Sequence, residues 1–205
     1  ETQTIYEGIS VQGKSIDDIN SIVQMKHGWQ FMLATLDDEL TLEYIKRLHL
    51  ELGKMTVINA GSLRMDEVRI AGCSYIPPLP EENAVKAALS EISNADTGWT
   101  EKALDYMLFL VKNQLFYDGN KRIAMMIANK VLITHGCGIL SVDQGHLELF
   151  LHCSLTITKM KVRERFSSAF FMMNALMATR RGCRMRNKKL SATAPCSFSN
   201  FSKNK

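Results

Sequence analysis

Asp118, Gly119, Asn120, Lys121 and Arg122 follow one another directly behind the aromatic pair Phe116–Tyr117. An acid, a glycine, an amide and two cations in consecutive positions are the ingredients of a phosphate site. Gly119 permits backbone angles that other residues resist. A helix starting at Asn120 leaves its first N–H groups without partners, and its dipole adds partial positive charge at the same point. Lys121 and Arg122 set cations at that mouth. Asp118 opposes an anion unless a divalent cation lies between them, and Mg²⁺ bridging a carboxylate and phosphate oxygens meets that need. The same residues taken alone also make an ordinary helix start, with Asp or Asn capping and the cations facing water.

Such a loop needs rigid flanks, and the sequence supplies them. Before it, Ala103, Leu104, Met107, Leu108 and Val111 recur at helical spacing, with Thr100 as the expected cap. After it, KRIAMMIANKVLITHGCG is helical and apolar on several sides, which places it centrally, and Gly136 marks its end. Upstream, Ser15 followed by Asp18 reads as a capping box with Asp for the usual Glu, opening a helix whose apolar positions are Ile16, Ile19, Ile22 and Val23. TLEYIKRLHLELGKM gives another, with Leu42, Ile45, Leu48 and Leu52 on one face and Gly53 near its stop. Gly61, Gly72, Pro77, Pro78 and Pro80 then interrupt helical structure, and EVRIAGCSYI within that stretch alternates weakly, as a short hairpin would. A helix resumes from Glu81 or Glu82 to Ile92. Two more fit Gln144–His152 and about Thr156–Thr179, the latter with a Phe and Met stripe that reads as core. The class is therefore mainly α.

Composition adds bounds. The chain has 205 residues, 46% hydrophobic and 22% charged, which suits one globular domain. The net charge of +4 is uneven: residues 180–205 hold eight of the 25 basic side chains and no acid, leaving 17 basic against 21 acidic groups in the body. That end, rich in Ser, Asn and Lys, reads as a disordered tail. No helix combines a basic face with interleaved polar readers, so nucleic acid is not the expected partner. The five cysteines make no C-x-x-C pair and fit free thiols in a cytoplasmic setting. No apolar run is long enough for a membrane span. The chain begins at Glu1 with no signal-peptide pattern, as a processed or trimmed chain would.

NQLFYDGNKR resembles the signature loop of the Fic family (filamentation induced by cyclic AMP), whose pattern is His, any, Phe, any, Asp or Glu, Gly, Asn, any, Arg. Phe116, Asp118, Gly119, Asn120 and Arg122 match in register. MTVINAGSLRMDEVRIAGCSYIPPLPEENAVKAALSEI looks like the family's flap hairpin, YIKRLHLELGK its early helix with an internal His, and TIYEGISVQGKSIDDI an inhibitory segment in which Glu7 precedes Gly8. The resemblance covers roughly residues 2–178. It implies a Fic-type bundle of about six to eight helices with a short β-hairpin flap. It divides the chain into an inhibitory-like stretch (1–14), a Fic-like domain (15–179) and a basic tail (180–205).

By the same resemblance, the activity is transfer of AMP from ATP to a protein hydroxyl. Asp118 would hold Mg²⁺. Gly119, Asn120, Lys121 and Arg122 would bind phosphate, and Phe116 would anchor the loop. Arg69, Ile70, Ala71 and Tyr75 of the flap would pin the target protein by strand-like pairing. His27 and His49 are expected to be packing or surface residues. The partners implied are a nucleotide and a protein target, with a homodimer left open. Two positions depart from the pattern. Gln114 stands where the family has the His that accepts the attacking hydroxyl's proton, and an amide has no usable pKa near 7. Met125 stands where many AMP-transferring members carry a second Arg, which binds the terminal phosphates and pairs with the inhibitory Glu. Gln3 replaces the usual Ser or Thr four residues before that Glu. The expectation is a nucleotide site with weak or no activity. The alternatives are a kinase-like toxin of the same fold, suggested by G-N-K-R without the second Arg, and a non-enzymatic nucleotide- or protein-binding form.

Overall fold

The computed structural model describes residues 2–7, 13, 15–70 and 74–142. They form six helices: α1 Thr2–Tyr6, α2 Ile16–Ala34, α3 Leu42–Gly53, α4 Glu82–Asn94, α5 Trp99–Asn113 and α6 Asn120–Thr134. The helices expected near 144–152 and 156–179, and the basic tail, lie outside the described residues. So does Ala71, with the rest of the expected hairpin's centre. Among the described residues there is no strand, and 67–70 and 74–80 adopt no regular element. The carbonyls of Asp66, just before that stretch, and of Pro77 and Pro78, within it, bond to one buried arginine instead of to a ladder.

Local signals place most helix ends. Ser15 caps α2, accepting the Asp18 N–H at 3.1 Å while its hydroxyl donates to the Asp18 carboxylate at 2.8 Å. Thr41 caps α3 by accepting from Tyr44 N–H at 3.2 Å. Thr100 does not cap α5. The helix already begins at Trp99, whose indole stacks on His135 at 3.4 Å, and Gly98 is the residue before it.

The α3 face Leu42, Ile45, Leu48 and Leu52 is fully buried, each side chain contributing about 1.5–3 kcal/mol of burial. The α2 face differs from the expected one. Ile16 is 77% exposed, and the buried line runs Gln24, Gly28, Met32. Gly28 is the reason: a Cβ there would meet Leu52 Cδ2 at 2.4 Å, so glycine lets α3 approach closely. α6 packs on α5, α3 and α2 and is the central helix.

Two buried lysines close helix ends by donating to backbone carbonyls. Lys130 reaches Thr35 O (2.7 Å) and Leu36 O (2.8 Å) at the end of α2, and Lys102 reaches Ser93 O (2.6 Å) in the last turn of α4. Both line a cavity of about 220 Å³ with Trp99, Tyr106 and His135, at the C-terminal end of α6. The loop of interest sits at the other end of that helix.

Candidate active site between α5 and α6

α5 ends on Gln114, a non-glycine residue in the left-handed region (φ 44°, ψ 64°). That conformation costs about 1–2 kcal/mol and persists only where neighbours hold it. Here they do. Gln114 N–H bonds to Leu110 O at 3.1 Å, its carbonyl accepts from Arg64 Nε at 2.6 Å, and its side-chain Nε2 turns back to Val111 O at 2.6 Å. Leu115 and Phe116 then drop into the core, both fully buried.

The other side of the loop is closed by Asn120. Its Oδ1 accepts Phe116 N–H (3.0 Å) and its Nδ2 donates to Phe116 O (2.8 Å). Both ends of the amide are thus committed to the backbone, which leaves the peptide N–H as the group Asn120 can offer an anion. Gly119 takes φ 77° immediately before α6. The first-turn N–H groups of α6 therefore open onto the loop. Lys121 lies half-buried in that turn. Arg122 NH2 bonds the Asp118 carboxylate at 3.2 Å, with Asp118 71% and Arg122 25% exposed in their side chains. A carboxylate, a guanidinium and a glycine-turned helix start thus share one mouth.

Arg64 holds this loop against the segment after α3, and nothing in its sequence surroundings singles it out. It is 2% exposed. Besides Gln114 O it donates to Asp66 O (2.7 Å), Pro77 O (3.1 Å), Pro78 O and, at 3.5 Å, Asn113 O. Its own N–H bonds Leu115 O at 3.0 Å. Tyr117 adds a second tie, accepting Met65 N–H (3.1 Å) and donating to the Asp66 carboxylate (2.8 Å). The ties from Arg64 to Asn113, Gln114 and Leu115, and from Tyr117 to Met65 and Asp66, span 49 to 52 positions of the chain, so no local pattern reveals them. His49 of α3 also abuts the loop, fully buried and stacked on Phe116. His27 sits half-buried on α2.

The remaining expected site residues lie elsewhere in the chain. Glu7 follows α1, is exposed, and accepts from Gln3 Nε2 at 3.0 Å; Ile5 anchors that short helix in the core. Arg69 is exposed beside Glu67 at 3.9 Å, and Ile70 is half-buried. Tyr75 is half-buried with Lys112 Nζ 5.5 Å from its ring centroid. Met125 packs against the core. Among the described residues no group of three His, Cys, Asp or Glu could hold a metal by protein ligands alone. An exposed single carboxylate fits a cation that takes its other ligands from phosphate and water, as Mg²⁺ does.

A model of the Fic/DOC family matches residues 39–132. A protein adenylyltransferase Fic from Culex quinquefasciatus is 26% identical over 162 residues, covering 71% of this chain and 31% of that protein. One from Drosophila mojavensis is 32% identical over 146 residues, covering 66% and 28%. The chain thus spans about a third of the length of these curated relatives. Among solved structures, Fic-1 (residues 134–508) of C. elegans superposes with a TM-score of 0.67 at 21% identity, covering 86% of this chain and 56% of that one. A Fic domain-containing signaling protein from Bacteroides thetaiotaomicron gives 0.70 at 17%, covering 86% and 75%. At these identities the structural likeness speaks for the fold.

Proposed function

This chain belongs to the Fic/DOC family, and on that premise we propose that its α5–α6 loop binds Mg²⁺–ATP and transfers AMP weakly, or not at all, to a protein hydroxyl. The observation that carries the reading is the shared mouth: Gly119 at φ 77°, the open first turn of α6, and the Asp118–Arg122 pair at 3.2 Å. The triphosphate lies against the N–H groups of that turn, with Arg122 and Lys121 supplying charge. Binding re-aims Arg122 from Asp118 to phosphate, which frees the carboxylate. Asp118 is the protein group that would hold Mg²⁺, which when bound neutralises phosphate charge. The target's backbone would pair with the flap, at Arg69, Ile70 and Tyr75.

Gln114 sets the level of activity. It can hold a hydroxyl by a hydrogen bond but cannot take its proton. Loss of general-base help costs about 10²–10⁴ in rate. Glu7 would inhibit poorly, because Met125 offers no cation for it and its bond from Gln3 keeps it on its own helix. A second reading, protein phosphorylation, draws support from the same Met125: with a core-packed thioether in place of a second arginine, the nucleotide's terminal phosphate loses that restraint.

Titration calorimetry with Mg²⁺–ATP, and label transfer from ATP in a cell lysate, test the reading together. Gln114→His is expected to raise transfer from α-labelled ATP by about 10²–10⁴. Product from γ-labelled ATP alone would favour the kinase. No heat of binding with either chain would sink the nucleotide site.

A further inference from the structure

His49 makes two bonds whose directions can be read from chemistry. The Gly61 N–H can only donate, and it reaches His49 Nδ1 at 2.9 Å. Nδ1 therefore carries a lone pair. The Asp118 carbonyl can only accept, and it lies 2.9 Å from His49 Nε2. Nε2 therefore carries the hydrogen. One neutral tautomer satisfies both, and the ring is fully buried. The ring also lies flat on Phe116, centroids 3.7 Å apart and planes 6° apart.

The consequence lies in the peptide that His49 holds. The Asp118 carbonyl belongs to the Asp118–Gly119 peptide, so fixing that oxygen fixes the opposite-facing Gly119 N–H. It also sets the turn at Gly119 and the aim of the first N–H groups of α6. A Cβ at Gly119 would come within 3.2 Å of the same His49 Nε2, which shows how closely ring and turn are fitted. Resting on the nucleotide reading above, we propose that His49 is a positioning residue for phosphate. Its Nε2–H aims the Asp118–Gly119 peptide, while its Nδ1 ties that peptide to the Gly61 turn. It touches no ligand itself.

The two bonds can be separated by substitution. A glutamine amide nitrogen can occupy the place of Nε2 and keep the bond to Asp118, whereas an asparagine oxygen can occupy that of Nδ1 and keep the bond from Gly61. Both lose the ring stack, so packing loss is common to the pair. Calorimetry on the full chain should show Mg²⁺–ATP affinity within about threefold of the parent in His49→Gln. In His49→Asn it should fall about tenfold or more, the scale of one misaimed hydrogen bond to a charged group. Adenosine, which has no phosphate, should bind both variants alike. Equal losses of Mg²⁺–ATP in the two variants, or a parallel loss of adenosine, would reduce His49 to a packing residue. If the parent chain binds no Mg²⁺–ATP, the nucleotide reading fails on its own. The strut is then judged by the amide resonances of Gly119 and Asn120, which must shift in His49→Asn and stay near the parent's in His49→Gln. Unshifted resonances in the Asn variant would overturn it.

Discussion

Arg64→Met removes the donor that five carbonyls share while nearly keeping the volume. In the parent, Nε serves Gln114, NH1 serves Asp66, and NH2 serves Pro77, Pro78 and, at 3.5 Å, Asn113. Two of these, Asn113 and Gln114, are the end of α5, where a buried cation also meets the negative end of the helix dipole. Each buried acceptor left unsatisfied costs about 1–3 kcal/mol. Five such penalties do not add, because single substitutions beyond about 4–5 kcal/mol are exceptional and water reaches the outer carbonyls. The expected cost is therefore about 3–4 kcal/mol. With a urea m-value of about 2 kcal/mol/M, the unfolding midpoint falls by about 1.5–2 M. Arg64→Lys keeps the charge but offers three donors from one point instead of a planar fork, and should recover less than half of the loss. Equilibrium urea unfolding of the three chains, followed by circular dichroism, decides it. A methionine variant within 1 kcal/mol of the parent, or a lysine variant indistinguishable from it, would refute the claim that the guanidinium fork holds the loop together.

Two shorter predictions concern the same region. Gly119→Ala forces a side chain into φ 77° and against His49 Nε2 at 3.2 Å, so it should cost about 1–2 kcal/mol in urea unfolding and weaken Mg²⁺–ATP in calorimetry; an unchanged midpoint would contradict the turn. Burial holds His49 below the usual imidazole value, so the unfolded chain binds more protons, and stability is complete above about pH 6.5 and falls as pH drops below that value, by at most about 1.4 kcal/mol per unit. Urea midpoints at pH 7.5 and 5.5 should show the loss, and His49→Gln should show less of it.

What the sequence carried by itself was local. The Ser15 cap, the α3 stripe from Leu42 to Leu52, the all-round apolar α6 and the Gly119 turn each depend on residues within a few positions of one another. Spacing alone exposes them, and the Phe116–Arg122 pattern was legible for the same reason. The tertiary structure decided whatever depends on a partner far along the chain. Arg64 is an unremarkable loop arginine until the end of α5 arrives beside it, and His49 is one more helix residue until Asp118 and Gly61 close on its two nitrogens. The α2 face turned from its isoleucines to Gly28 because α3 and α6 needed close approach there. The stretch after Arg64 formed no strand among its described residues, and a buried guanidinium took the carbonyls of Asp66, Pro77 and Pro78. Asn120, read from sequence as a phosphate ligand, spends its side chain on Phe116 because a buried peptide must be satisfied before a loop can be held still.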